Sequence, residues 1–179
     1  MADTMQTIAA ALAQLPLNTS GAIGPQDVRD IVETLRVRGG SMYVSTAIET
    51  VISTIDTPTK ALGTTTLVTP AYDFTMPADN RMRYDGVADV LATVQCGISI
   101  TAAANSQDTT MHIAKNGTVI TSSAAQRKIG TGADVGRAAV GAQLVLTTND
   151  YVEVWLENNT GTANITVENL TMNILAFAV

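Results

Sequence analysis

Apolar and polar residues change their period once along this chain. Up to about residue 40, apolar side chains recur every three or four positions; beyond it they mostly alternate with polar ones. Met5, Ile8, Leu12 and Leu15 follow the helical step, Asp3 or Thr4 stands where a cap belongs, and Pro16 limits the run. A helix of about three turns is marginal in water unless it docks on something. Residues 1–22, with Met5, Ile8, Leu12, Leu15 and Leu17 as their apolar contacts, are therefore expected either to grip a partner as an anchoring arm or to fold back on their own domain. The next run is clearer. Pro25 suits a first helical position, Asp27 puts negative charge in the first turn, and Arg36 and Arg38 stand near the negative end. Val28, Ile31, Val32 and Leu35 form one apolar stripe, and Gly39-Gly40 supplies the stop. The spacing predicts a helix over 25–36, a spacer or packing element within a unit spanning 23–40.

Past Gly40 the pattern is that of strands. Residues 41–46 alternate through Met42 and Val44. Residues 47–55 fit both periods, and their β-branched density (Thr50, Val51, Ile52, Thr54, Ile55) favours a strand. Thr57-Pro58, Gly63, Pro70 and Pro77 punctuate short strands, so 41–70 reads as a connecting β segment ahead of a domain over 71–179. The strongest strand runs from Asp89 to Thr101. Val90, Ala92, Val94, Cys96, Ile98 and Ile100 share one face, and Leu91, Thr93, Gln95, Gly97 and Ser99 form a less apolar reverse face. Asn116-Gly117 between two alternating runs predicts a hairpin, because both turn positions need positive φ. Strands follow over 139–146, 151–157 and 163–178, with Val152, Val154 and Leu156 facing the core. Short strands with polar turns and no interleaved helices predict a mainly β fold, an antiparallel jelly-roll sandwich behind an N-terminal arm and a short α-helix.

Composition narrows the chemistry. The 179 residues are 46% hydrophobic but only 15% charged, against roughly 25% in ordinary soluble domains. The 27 threonines suit β-strand faces and turns. A formal charge of −6 argues against a nucleic-acid binder that neutralises many phosphates. One cysteine excludes an internal disulfide framework and a multi-cysteine metal site; one histidine limits triad and multi-histidine chemistry. No basic residue precedes Arg29, so no signal peptide is expected, and no uncharged run reaches the roughly 20 residues needed to span a bilayer. The N-x-[ST] sequons, Asn18 and Asn116 among them, read as incidental in a chain this rich in Thr and Asn.

Each constellation with chemical potential has a plainer reading. Gly130 to Gly136 is glycine-rich, but a strand follows where a phosphate loop needs a helix, so it reads as a surface loop. Asp73, Asp79, Asp85 and Asp89 match no calcium-loop spacing and read as solvated turn residues. Glu153 and Glu157 share a strand face, but four positions on a strand span roughly 13 Å. Glycosidase carboxylates stand about 5–9.5 Å apart. Tyr151 and Trp155 on the same face are candidates for a subunit interface, where aromatics are enriched; the same stripe could instead stack sugars. His112 has no second histidine to work with, and Cys96 reads as a small buried hydrophobe. No catalytic residue, metal ligand or cofactor site emerges.

Three stretches carry a resemblance: Met-His-Ile-Ala-Lys-Asn-Gly (111–117), the run 143–158 through Thr-Asn-Asp-Tyr-Val-Glu-Val-Trp, and the closing Ile-Thr-Val-Glu-Asn-Leu-Thr-Met-Asn-Ile (165–174). They are similar to the trimeric jelly-roll domains of bacteriophage virion proteins, which are related in shape to the tumour-necrosis-factor fold; Asn149 stands where that group commonly has glycine. The helix over 26–36 followed by Gly-Gly-Ser-Met-Tyr-Val (39–44) also resembles the leader of phage head-fibre, decoration and tail-fibre proteins. The resemblance implies a non-enzymatic homotrimer on the virion, assembled in the host cytoplasm: a capsid decoration (cement or head-fibre) protein. It would hold the major capsid protein lattice through its N-terminal region and stabilise the head. The alternative it implies is a tail or baseplate fibre whose jelly roll binds a host-surface glycan. Neither reading calls for a cofactor, nucleic acid or a membrane.

Overall fold

The computed structural model of the chain describes residues 25–131 and 134–179. The arm positions Met5, Ile8, Leu12, Leu15 and Leu17, and Gly132-Ala133 of the glycine-rich loop, lie outside the described residues. A helix, α1 (Pro25–Leu35), comes first. The strands follow: β1 (Arg38–Ala47), β2 (Glu49–Thr50), β3 (Thr59–Lys60), β4 (Gly63–Tyr72), β5 (Phe74–Ala78), β6 (Arg81–Tyr84) and β7 (Val90–Ala102). Then come β8 (Gln107–Lys115), β9 (Thr118–Val119), β10 (Ala125–Ile129), β11 (Gly136–Leu146), β12 (Tyr151–Asn158) and β13 (Ile165–Ala178).

These strands build two antiparallel sheets. The first runs β11-β7-β13-β1-β4, with β2 added to β13; the second runs β10-β8-β12-β6-β5, with β3 and β9 added to β12 and β8. The expected jelly-roll sandwich is what forms. Period-2 alternation sends one face of each strand inward, so Val90, Val94, Ile98 and Met172 of the first sheet meet Met111, Ile113, Val154 and Leu156 of the second, all buried. Cys96 lies in this core as expected. Asn116 and Gly117 take φ of 52° and 75°, the mirror-image turn that the twist of a hairpin demands.

The stretch 41–70 supplies strands to both sheets: most of β1 and β4 to the first, β3 to the second. The strand expected over 47–55 shrinks to Glu49–Thr50, paired with Ile165 and Thr166. Beyond it the chain leaves the sheet because a side chain takes the place of a strand partner: Ile52 N–H donates to Asn164 Oδ1 at 3.1 Å.

The helix forms over 25–35, but of its stripe only Ile31 is half-buried and the rest does not pack inward. Val28, Val32 and Leu35 are 50%, 63% and 64% exposed, while Asp30 and Thr34 are buried beneath the helix. Arg38 is the reason. Its side chain is 0% exposed; Nε donates to Asp73, while Nη1 and Nη2 donate to the carbonyls of Thr34, Arg36 and Glu33. Thr34 is in the last turn, where a helix leaves carbonyls without partners, Arg36 lies just past the end, and the Glu33 carbonyl accepts from the Arg36 N–H as well. The polar side of α1 is thereby bolted to the sandwich, and the apolar side must face away.

Candidate interaction surfaces

Two sheet faces are open to partners, and they differ in chemistry. On the second sheet, β12 presents Tyr151, Glu153, Trp155 and Glu157, as the alternation predicts. The centre of this face is closed on itself. Glu153 is 1% exposed and accepts from Lys60 Nζ at 3.0 Å, Arg81 Nη2 at 2.8 Å and Trp155 Nε1 at 3.1 Å. Burial by itself would raise this carboxyl's pKa; the hydrogen bonds from Lys60, Arg81 and Trp155 outweigh it and hold the group below its usual range. Arg81 lies over the Tyr151 ring at 4.0 Å from its centroid, a cation–π contact. Arg81 thus occupies one face of the Tyr151 ring, while the Trp155 N–H bond to Glu153 fixes that indole in its plane.

His112 stands directly opposite Trp155 in the β8–β12 register. It is buried, its Nε2 lies 3.4 Å from Glu157 Oε1, and neither ring nitrogen has a hydrogen-bond partner. Among the described residues no group of three or more His, Cys, Asp and Glu could hold a metal ion. Three of the four acidic turn residues hold protein partners with their carboxylates. Asp73 pairs with Arg38 and Asp85 with Arg83, and Asp79 accepts from the Thr65 N–H and hydroxyl.

The outer face of the first sheet is different. Register places its side chains in rows across the strands. Val145, Leu91 and Phe177 form the row at one end; Gln143, Thr93, Leu175, Gly39 and Tyr72 form the next. Gly141, Gln95, Asn173, Ser41 and Val68 follow, and then Ala139, Gly97, Thr171, Tyr43 and Thr66. None of these residues is charged. Arg137 enters only at the next row, opposite Ser99. Leu91, Val145, Leu175, Phe177, Tyr43, Val68 and Tyr72 are all large, apolar and exposed.

A groove of about 540 Å³ crosses this face where β1 narrows to Gly39, Gly40 and Ser41 between Leu175 on one side and Val68 and Tyr72 on the other. The narrowing is enforced by packing. A Cβ at Gly39 would collide with the Ile174 carbonyl, and one at Gly40 would come within 2.8 Å of Met82 Cε. Val37, two residues past the end of α1, lines the groove, and Arg36 rests on the Tyr72 ring at 4.9 Å. Arg36 and Val37 thus link the exposed stripe of α1 to the edge of the uncharged sheet face.

Alternation in the sequence singled out Tyr151 and Trp155 and missed this second face, whose residues lie on strands far apart in the chain. The legible signal was the absence of charge along the reverse side of β7 and the last residues of β13. No helix among the described residues is long and apolar enough to cross a membrane.

In sequence, no protein-family model and no curated protein matches this chain. In structure, it is similar to the Eiger TNF of S. frugiperda, with TM-score 0.50 and 11% identity over 79% of this chain and 93% of that one. Murine APRIL, with TM-score 0.47 and 8% identity, overlaps 77% of this chain and 98% of its own. The PRD1 vertex protein P5, with TM-score 0.43 and 9% identity, overlaps 79% and 96%. At such identities the likeness is one of fold: a jelly roll of the tumour-necrosis-factor type.

Proposed function

We propose that this chain is a non-enzymatic structural protein of a bacteriophage virion, a homotrimeric capsid decoration protein of the cement or head-fibre kind. The observation that carries self-association is the uncharged outer face of the first sheet. A face with Leu91, Leu175 and Phe177 exposed, and no ionised group across four rows, is costly to leave in water. It suits burial against further copies of the chain, and three copies around an axis close such an assembly. A low charge content fits a surface covered by neighbouring subunits. In this reading residues 1–22, with Met5, Ile8, Leu12, Leu15 and Leu17, grip the major capsid protein lattice while the jelly roll projects outward.

The alternative, a tail or baseplate fibre that stacks host glycan on Tyr151 and Trp155, finds less support, because Arg81 covers one face of the Tyr151 ring and the polar groups beside the pair are bound to one another. The test is removal of residues 1–22. The shortened chain is expected to keep the trimer's mass in light scattering and to stop co-sedimenting with phage heads. Undiminished binding to heads would defeat the arm reading, and a monomeric full-length chain would defeat the trimer.

A further inference from the structure

The arrangement of α1 is the reverse of an ordinary surface helix. Val28, Val32 and Leu35 are spaced four and three residues apart, the d-a-d step of a coiled-coil seam. Assigned in that register, Asp30, Glu33 and Thr34 take the f, b and c positions, the side opposite the seam. In this chain that side is the one bound to the sandwich. Asp30 and Thr34 are buried, Gln26 Nε2 donates to Asp30 Oδ1 at 2.7 Å, and Arg38 donates to the Glu33, Thr34 and Arg36 carbonyls. Turning the seam inward would break the Arg38 contacts, so the helix is held with its apolar edge outward.

An 11-residue helix with such an edge bare is a poor structure in water. It needs a facing helix, and a seam of this kind accepts one with the same spacing. The chain next to the seam indicates where that helix comes from. Val37 and the Arg36–Tyr72 contact join the seam to the uncharged sheet face. A second copy seated on the sheet face therefore brings its own α1 to the same end of the assembly.

We propose that the α1 helices of three copies pack in parallel about the trimer axis, with Val28, Val32 and Leu35 as their shared core and Arg29 and Arg36 at its rim. This rests on the homotrimer reading. The three helices form a short bundle capping one end of the jelly-roll trimer and deliver the three N-terminal segments side by side. Tethering by the jelly rolls supplies the effective concentration that a seam this short lacks alone.

Val32→Cys in the full chain tests the bundle, since Cys96 is the sole other cysteine and is buried. Under mild oxidation, Val32→Cys is expected to give covalent dimers on a non-reducing gel, with at most about two chains in three linked, as one disulfide per trimer allows. Lys128→Cys, an exposed position on β10, is expected to stay unlinked. Val32→Asp should raise the concentration at which trimers dissociate at least about tenfold, with an unchanged β-sheet circular dichroism spectrum. Trimers whose Val32→Cys chains stay unlinked would overturn the bundle and leave the homotrimer standing. So would an internal disulfide in a Leu12→Cys/Val32→Cys chain, which would assign the seam to the N-terminal segment of the same copy. A monomeric parent chain would remove both.

Discussion

Arg38 and Asp73 form an ion pair at 2.9 Å in which the guanidinium is wholly buried and the carboxylate only partly so. The pair joins the first residue of β1 to the turn between β4 and β5, and the same guanidinium terminates α1. Its worth lies in what it leaves unmade when removed. Arg38→Met would take a donor from the Glu33, Thr34 and Arg36 carbonyls, of which Glu33 keeps the Arg36 N–H, and would leave Asp73 without its cation. Losing a charged hydrogen-bonding group of this kind costs roughly 2–4 kcal/mol. Urea unfolding should show a lower midpoint at an unchanged slope, and proteolysis should cut near Leu35 in the variant before the sandwich unfolds. An unshifted midpoint would mean the contact is ornamental.

Asp150 couples two turns, and its chemistry sets a pH limit. Burial works to raise its pKa, but Lys115 at 2.7 Å, the Thr147 N–H and hydroxyl, and Asn116 Nδ2 together pull it from the ordinary 3.8 down to about 2. A carboxyl depressed in the folded state binds fewer protons there than when unfolded. Stability therefore rises with pH through the window between the two values, is fully present above it, and is lost as pH falls from about 4 to 2. Asp150→Asn should flatten that acid limb in a series of urea melts at pH 2 to 5. An identical limb in parent and variant would assign the acid sensitivity elsewhere.

Where sequence and structure agree, the reason is local. The core faces of β7 and β12 and the Asn116-Gly117 turn follow from period and from backbone sterics, which neighbouring residues settle among themselves. The orientation of α1 is not of that kind. Periodicity says that Val28, Val32 and Leu35 share a face, but the direction of that face was decided by Arg38 reaching Asp73, 35 residues away. Asn80 is a similar case. It lies in the turn before β6, is buried at φ 50°, donates to the carbonyls of Ala61 and Val154, and accepts from the Val154 N–H, contacts that no local pattern announces. It takes the place of a missing strand pair between β12 and the start of β6. The uncharged face was hidden for the same reason, since it is assembled from strands brought together only by the order β11-β7-β13-β1-β4.

Glu153 carries two cations and an indole, so its removal should be felt in more than stability. Glu153→Ala leaves Lys60 and Arg81 facing each other without their shared anion, at a cost of about 2–3 kcal/mol, lessened because both bases are partly in water. Trp155 is the chain's one tryptophan and loses its N–H acceptor in the same step, so its emission is expected to shift towards the red. If Glu153→Ala keeps the parent's emission and midpoint, the network contributes nothing. Glu153→Gln, which keeps one acceptor oxygen, should fall between the two.

Cys96 reports on the sandwich itself. It faces the core from the middle of β7, between Val140 and Met172 in the register of its neighbours, and burial pushes its thiol up to about 12. A thiol that is both shielded and protonated at pH 8 reacts only when the sheets part. Labelling by a thiol reagent in native buffer is therefore expected to be at least about a thousandfold slower than in urea, in line with the population of the open state of a stable domain. The destabilised variants Arg38→Met and Glu153→Ala offer a graded check. If each lowers stability through global opening, each should speed Cys96 labelling by the factor its urea midpoint implies. Labelling of the native chain at the unfolded rate would place Cys96 outside the core, and with it the inward face of β7 on which the whole two-sheet architecture turns.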